Sequence, residues 1–541
     1  MTHVITTHEF DRHEDVRAAL ADPALVPELP AADGGTAGAS VAWLRATVVR
    51  FSSGERHRRR RALVEAELDR LDPAALRRAA VEAPAGDVRL RVVRTLAEAL
   101  EMPEPGAVAE AVTVVAGAYF GATDPAADEA VAWLTAHLAA PEGANEARLE
   151  AAANRIGLLV QACAATAALV EAAAEGDVPL ARVLREASPV RAMRRVAARA
   201  TRIAGREIAE GDVVLLDVAA AHRAHPVPLS FGAPPRVCPG RAHALALADG
   251  LLQRPLTAFA GLHHQAAPLL LPNAWDYASA AALAEQGFQA IGTTSLGVAA
   301  AAGLPDGVAA TAEATVALAR RLGRGSFLFT VDVEGGFSDD PLEVAVLARK
   351  LYDAGAAGIN VEDGRPDGSL APLELHAAKI AAVKAAVPEL FVNARTDTYW
   401  LGHREEETAV RLAVYEQAGA DGVFVPGLSD PDRIAALTAM LVVPLNILYS
   451  PTGPSLTELT ALGVRRVSLG SLLYRSALAA AVSTATAIRD GRPEALTALS
   501  YAEVQALAVP DETLHSCESE SANRLNAALS FSPIIPSTAS V

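Results

Sequence analysis

Several charged residues close apolar runs in the second half of the chain, in a pattern suited to chemistry on a small anion. One run ends Val331-Asp332-Val333-Glu334-Gly335-Gly336, the next Asn360-Val361-Glu362-Asp363-Gly364, and a third Asn393-Ala394-Arg395-Thr396-Asp397. Alternation along an extended chain puts Asp332 and Glu334 on the same side, and the paired glycines let backbone approach a ligand. Acids with one arginine around a single mouth are what a hard cation such as magnesium needs, together with a substrate bearing a carboxylate or phosphonate. The competing reading makes these acids helix N-caps and rim ion pairs. For Asp363 and Asp397 both readings stay open. Asp332, Glu334, Glu362 and Arg395 together favour a ligand, because four inward charges are costly to bury without one.

The first half offers a different group. Phe231-Gly232-Ala233-Pro234-Pro235-Arg236-Val237-Cys238-Pro239-Gly240-Arg241 is a Gly/Pro-rich turn before a helical stretch over 244–252. A lone cysteine is often only a small buried hydrophobe. Here the start of a helix and nearby arginines favour a thiolate.

Such groups need elements to hold them. Residues 1–255 read as helix after helix, with apolar residues at helical spacing over 14–21, 56–68, 73–81 and 154–174 and one strand-like stretch at 212–218. From 256 to 500 short apolar runs alternate with amphipathic segments such as 341–354 and 405–418. The runs fall at 269–271, 290–293, 327–331, 358–361, 390–393, 422–425, 444–447 and 466–469. Eight strand-helix units predict a (β/α)8 TIM-type barrel, whose loops after the strands converge on one mouth. Residues 501–541 turn to Ser, Glu, Asn and Pro and read as a loose tail. The fold class is therefore multidomain: a mostly α N-terminal domain, then the barrel.

Composition narrows the partners. The chain has 541 residues, 51% hydrophobic and 21% charged, with a formal charge of -17. That charge argues against nucleic acid and anionic membranes, which need clustered Lys and Arg, but leaves room for small anions. Cys163, Cys238 and Cys517 are too few for a disulfide framework, so a reducing cytoplasm is expected. The start alternates charge with apolar residues, which reads as neither signal peptide nor anchor. The Ala-rich run 150–172 is broken by Asn154, Arg155, Gln161 and Glu171 and reads as a packed helix.

The three carboxylate motifs do not stand alone. With Leu271-Pro272-Asn273-Ala274-Trp275-Asp276, Ile291-Gly292-Thr293-Thr294-Ser295-Leu296-Gly297-Val298, Pro444-Leu445-Asn446 and the segments 419–427 and 463–470, the stretch from about 258 to 495 resembles the isocitrate lyase and phosphoenolpyruvate mutase superfamily. The resemblance implies magnesium, a small 2-oxo or enol acid as substrate, and cleavage or rearrangement of a carbon–carbon or carbon–phosphorus bond. It implies Asp332 as direct metal ligand, with Glu334 and Glu362 acting largely through metal-bound water. Arg395 would hold the substrate's carboxylate or phosphonate, with Thr293, the amides around Thr294 and Ser295, and Asn446 completing the substrate site. Asp306 would sit on a mobile loop, joining Glu362 and Arg395 as catalytic groups. A homo-oligomer through the barrel is a further expectation. Lyases of this superfamily carry Lys-Lys-Cys-Gly-His after the fourth strand. Here the loop reads Asp363-Gly364-Arg365-Pro366-Asp367-Gly368-Ser369-Leu370, with no Cys, His or Lys, and the mutase's longer loop is missing as well.

The turn around Cys238 resembles the haem-binding loop of the cytochrome P-450 family, in which a thiolate binds iron. Residues 10–23 and 211–222 are similar to its N-terminal segment and core strands. The resemblance implies haem on Cys238, with His57, Arg61 and Arg236 at the propionates. Leu159-Val160-Gln161-Ala162-Cys163-Ala164-Ala165-Thr166 places alanines at the family's acid and alcohol positions. The family's Glu-x-x-Arg appears as Arg182-Val183-Leu184-Arg185, and the half is short for a haem domain. Two alternatives to a lyase or mutase with a haem-binding half therefore stand: a haem-thiolate monooxygenase fused to a barrel, or a haem-like half serving as inactive scaffold.

Overall fold

The computed structural model describes residues 5–28, 35–120, 124–138, 145–176, 178–252, 257–492 and 498–508. The expected boundary at 255/256, most of the 501–541 tail and Cys517 lie outside the described residues.

The second half is a closed barrel. Nine parallel segments form its sheet. The first two, Leu269–Leu271 and Asn273–Ala274, are pieces of one strand interrupted at Pro272, which has no N–H to give the ladder. One piece pairs with the last strand, Arg466–Ser468, and the other with Ile291–Thr293, so the ring closes with eight staves. The others are Phe329–Asp332, Gly358–Glu362, Phe391–Arg395, Gly422–Val425 and Leu445–Leu448. Every predicted run is a stave. The helices between them start where the sequence marks a start: Asp340 caps Pro341–Asp353 through the amide of Leu342, and Asp430 caps Pro431–Met440, each with proline in the first turn. Pro341–Asp353 buries Val344, Ala345, Ala348 and Leu351 against the staves. The helix after the eighth stave, Leu472–Arg489, differs, with no buried residue and with Leu478, Val482 and Ile488 exposed.

Inside the ring the filling is partly polar. Asn360, Asn393, Asn446, Ser468 and Arg466 are all buried there. Where the strands begin, Phe259 from the preceding helix Ala258–Gly261 meets Phe391 edge-on at 5.4 Å, and His263 stacks on Phe391 at 4.3 Å, plugging that end.

The N-terminal half has a core of its own around the helix Glu146–Gly176, whose Ile156, Leu159, Val160 and Cys163 are buried against Val88–Ala99, Pro105–Ala118 and Arg241–Leu251. Among the described residues this is the one helix long and apolar enough to cross a bilayer, with mean hydropathy 1.7, and over half of its apolar window is packed inside the protein. A four-stranded sheet orders Thr7–Phe10, Val213–Asp217, Ala192–Ala197 and Leu25–Val26, and Thr201–Ile203 pairs with Arg206–Ile208 as a hairpin. Periodicity predicts only the strand at 212–218. The rest are two to six residues long and rich in Ala and Arg, too short to show alternation.

The halves meet at the strand-start end of the barrel. Arg241 donates to the carbonyls of Thr438, at 3.2 Å, and Met440 at the end of one barrel helix. Gln417, at the end of Thr408–Gln417, accepts from Arg185 at 3.1 Å and donates to the Pro226 carbonyl at 2.8 Å. In a barrel of this kind those helix ends lie opposite the mouth.

Candidate active site at the barrel mouth

Three neighbouring staves bring the predicted charges together. Glu362 and Arg395 are register partners at the strand ends, and Asp332 is partnered with Asn360 one layer below. Arg395 Nε donates to Asp397 Oδ1 at 2.5 Å, and Nη1 lies 2.6 Å from Glu362 Oε2. The latter contact is off the N–H direction, so Glu362 Oε2 is a buried oxygen with an ion-pair neighbour but no hydrogen bond. Burial pushes the Asp332 and Glu362 carboxyls up, against the pull of Arg395. Burial also disfavours the Arg395 charge, but Glu362, Asp397 and Asp332 outweigh it and hold the guanidinium firmly charged.

Glu334 departs from expectation. The stave ends at Asp332, and Glu334 follows it with φ 48°, in the left-handed region, so alternation no longer sets its direction. Its carboxylate accepts from the Ala309 N–H at 2.9 Å and the Thr311 hydroxyl at 2.6 Å, anchoring the segment that carries the exposed Asp306. The Glu334 N–H turns back to Asp332 Oδ1 at 3.3 Å. The neighbouring glycines are turn and packing positions rather than ligand contacts: Gly336 has φ 86°, and a Cβ there would meet Val344 at 2.8 Å. Thr293 Oγ1 accepts from the Asp332 N–H at 2.9 Å, Thr294 caps the helix Ser295–Ala302, and Asn446 is bonded to Ser468 at 3.0 Å within the barrel.

Asp363 resolves toward the structural reading. It is fully buried and accepts from Thr396 Oγ1 and the Asp397 N–H, both at 2.8 Å, from Tyr415 Oη at 2.6 Å and from Arg411 Nη1 at 3.1 Å. Asp397 instead buttresses Arg395. The loop after Glu362 is folded on itself, Gly364 bridging Leu370 and Arg365 pairing with Asp339 at 2.8 Å. A Cβ on Gly364 would collide with the Asp397 carboxylate.

In the N-terminal half the turn before Arg241–Leu251 is closed by the Cys238 N–H on the Phe231 carbonyl at 2.8 Å. Arg61 Nη1 donates to the Val237 carbonyl at 2.8 Å and Arg236 to the Ser52 carbonyl at 3.2 Å, so His57, Arg61 and Arg236 do gather beside Cys238. Burial pushes the thiol up, while Arg61, Arg241 and Arg50 pull it down. Arg50 and Arg195, which the motifs did not single out, join the group. Burial and crowding by like charges push His57 down to about 4 and Arg195 down to about 10. Arg50 is reached by solvent, and the surrounding protein still disfavours its charge. Glu65, held by Arg61 at 2.7 Å, is a carboxylate acting on His57, and Glu416 acts on Arg241.

A family model for phosphoenolpyruvate phosphomutase matches residues 259–489. Over 256 residues the chain is 46% identical to an uncharacterised protein of Mycobacterium tuberculosis strain H37Rv, covering 47% of this chain and 97% of that protein. An oxaloacetate decarboxylase of Pseudomonas fluorescens is 33% identical over 34% of this chain and 68% of its own length. This chain belongs, through its C-terminal half, to the phosphoenolpyruvate mutase and isocitrate lyase superfamily. Another member, 2-methylisocitrate lyase of Bacillus subtilis, is 34% identical over 33% of this chain and 61% of its own length.

As a superfamily member the barrel is an enzyme domain of lyase or mutase type. Magnesium is the metal such members typically use. The mouth fits a cation: Asp397 is buried, Asp332 and Glu362 are half-buried around Arg395, and Glu362 Oε2 accepts no hydrogen bond. Among the described residues no three acids or histidines converge for direct chelation. Sequence reading missed the Asp363–Arg411–Tyr415 network and the buried Arg466. Arg466 left a faint signal, as an arginine opening an otherwise apolar stave, whereas Arg411 and Tyr415 lie on the helix Thr408–Gln417, where local pattern does not point to Asp363.

Proposed function

We propose that the barrel catalyses magnesium-dependent cleavage at carbon three of a small 2-oxo acid, with oxaloacetate-like dicarboxylates the first class to assay. The observation that carries the reading is Arg395 at the strand ends, fixed between Glu362 and Asp397, beside Asp332. Asp332 would hold the metal directly, Glu362 and Glu334 through water, and Arg395 the substrate's distal carboxylate. Magnesium supplies Lewis-acid stabilisation of the charge that develops as the bond breaks. Thr293 fixes the Asp332 backbone, Asp397 fixes the fork of Arg395, and the burial of both acids keeps water from screening them. The folded loop 363–370, with no Cys, His or Lys, favours a reaction whose enol product takes its proton from water rather than from a loop thiol. The test is release of pyruvate from oxaloacetate by the full chain with magnesium. Asp332→Ala should abolish it with an unchanged circular dichroism spectrum. Full activity of that variant would refute the assignment, and turnover of phosphonopyruvate instead would place the chain on the mutase side. The unburied helix Leu472–Arg489 supports an oligomer through the barrel, readable by light scattering.

A second reading concerns the N-terminal half, residues 1–255. The cluster of Arg50, Arg61, Arg195, Arg236 and His57 around Cys238 supports an anionic ligand there, and haem is the ligand this reading assigns. Cys238 would hold the iron and the arginines the propionates, and haem would supply electron-transfer or oxygen chemistry. Alanines at 164 and 165 argue against efficient proton delivery to oxygen. Carbon monoxide difference spectra of the reduced protein test this reading. A thiolate-type band supports it, and protein that stays colourless with added haem leaves the half as scaffold.

A further inference from the structure

One charge in the centre of the barrel is not explained by the mouth. Arg466 opens the eighth stave and is fully buried. Its Nη2 donates to Asn360 Oδ1 at 3.1 Å and its Nε to Ser468 Oγ at 3.2 Å, while Nη1 has no partner among the described residues. Asn393 and Asn446 tie Asn360 and Ser468 in place, at 2.9 and 3.0 Å. An unpaired guanidinium in a protein interior is expensive, and an apolar filling of equal volume would be more stable. Among the described residues no carboxylate pairs with it. The acid whose field reaches it is Asp332, the register neighbour of Asn360.

The amide and hydroxyl bonds hold the guanidinium in place within the ring. A fixed cation behind a site opposes a second cation there and attracts an anion, the two effects being opposite in sign and equal only for equal charges at equal distance.

We propose that Arg466 is a positioning residue: a fixed counter-charge beneath Asp332 that weakens binding of the divalent cation and strengthens binding of the anionic substrate. The effect makes the cation a poor ligand until the substrate anion joins it. It rests on the function proposed above, and the experiment separates the two. Calorimetric titration of the full chain with magnesium chloride alone, and with oxalate at saturating magnesium, gives two dissociation constants. Wild-type protein that binds neither overturns the function reading itself. In Arg466→Gln magnesium should bind roughly fivefold tighter and oxalate roughly fivefold weaker. Loss of packing would weaken both, so a shift of both in one direction, or of neither, overturns the counter-charge. Arg466→Lys keeps the charge and is expected to hold both constants within about threefold of wild type, as long-range charge rather than hydrogen-bond geometry sets the effect. A folded lysine variant that loses both ligands likewise overturns it, whether or not the glutamine variant folds.

Discussion

Glu416 gives the protein a pH-dependent stability that one substitution should remove. It ends a barrel helix at the junction of the halves, 1% exposed, with Oε2 accepting the Val442 N–H at 2.8 Å. Burial pushes its carboxyl from 4.5 up to about 7, against the Val442 and Val443 amides and Arg241, which favour the charge. Between those two values the folded state keeps a proton that the unfolded chain has released, so stability falls as pH rises and the loss is complete above about 7. The displacement corresponds to about 3 kcal/mol. Glu416→Gln mimics the protonated form and should lack this slope. Melting of both proteins followed by circular dichroism from pH 5 to 8.5 should show near-equal midpoints at pH 5 and a variant about 6 to 12 °C higher at pH 8.5, at about 2 to 4 °C per kcal/mol for a unit of this size. Parallel curves across the range would show that Glu416 is charged and solvated in the native state, and that its burial has been misread.

Arg395→Lys should raise KM at least tenfold despite the retained charge, because one ammonium cannot meet Glu362, Asp397 and a substrate carboxylate together; unchanged steady-state constants would make Arg395 a rim residue. Asp363→Asn should cost about 3 kcal/mol in urea unfolding, since it leaves Arg411 and Tyr415 facing an amide in a sealed site, and a loss below 0.5 kcal/mol would contradict the network. Cys238→Ser should abolish any thiolate-type haem spectrum and leave pyruvate release from oxaloacetate intact; loss of both would tie the halves functionally.

The barrel was readable because each stave is a short apolar run and helices such as Pro341–Asp353 bury one apolar face. Arg395 and Glu362 were readable because they sit on the last residues of strands, where period two still holds. The direction of the Glu334 side chain was not readable for the converse reason. It lies two residues past its strand in a left-handed conformation, and its partners Ala309 and Thr311 arrive from a segment no local pattern connects to it. Asp363 follows the same rule, its four donors coming from the next stave and the helix Thr408–Gln417. In the N-terminal half the Cys238 turn was legible from proline, glycine and arginine. Arg50 and Arg195 were not, because separate elements carry them to the cluster.

The N-terminal half grips the ends of barrel helices opposite the mouth. Anything released on that side must travel around the outside of the barrel, through open solvent, before it reaches Arg395. The plug of Phe259, His263 and Phe391 closes the short route through the middle. Fusion in this orientation fixes a one-to-one dosage of the two units and their shared lifetime in the cell, and offers no private passage for an intermediate.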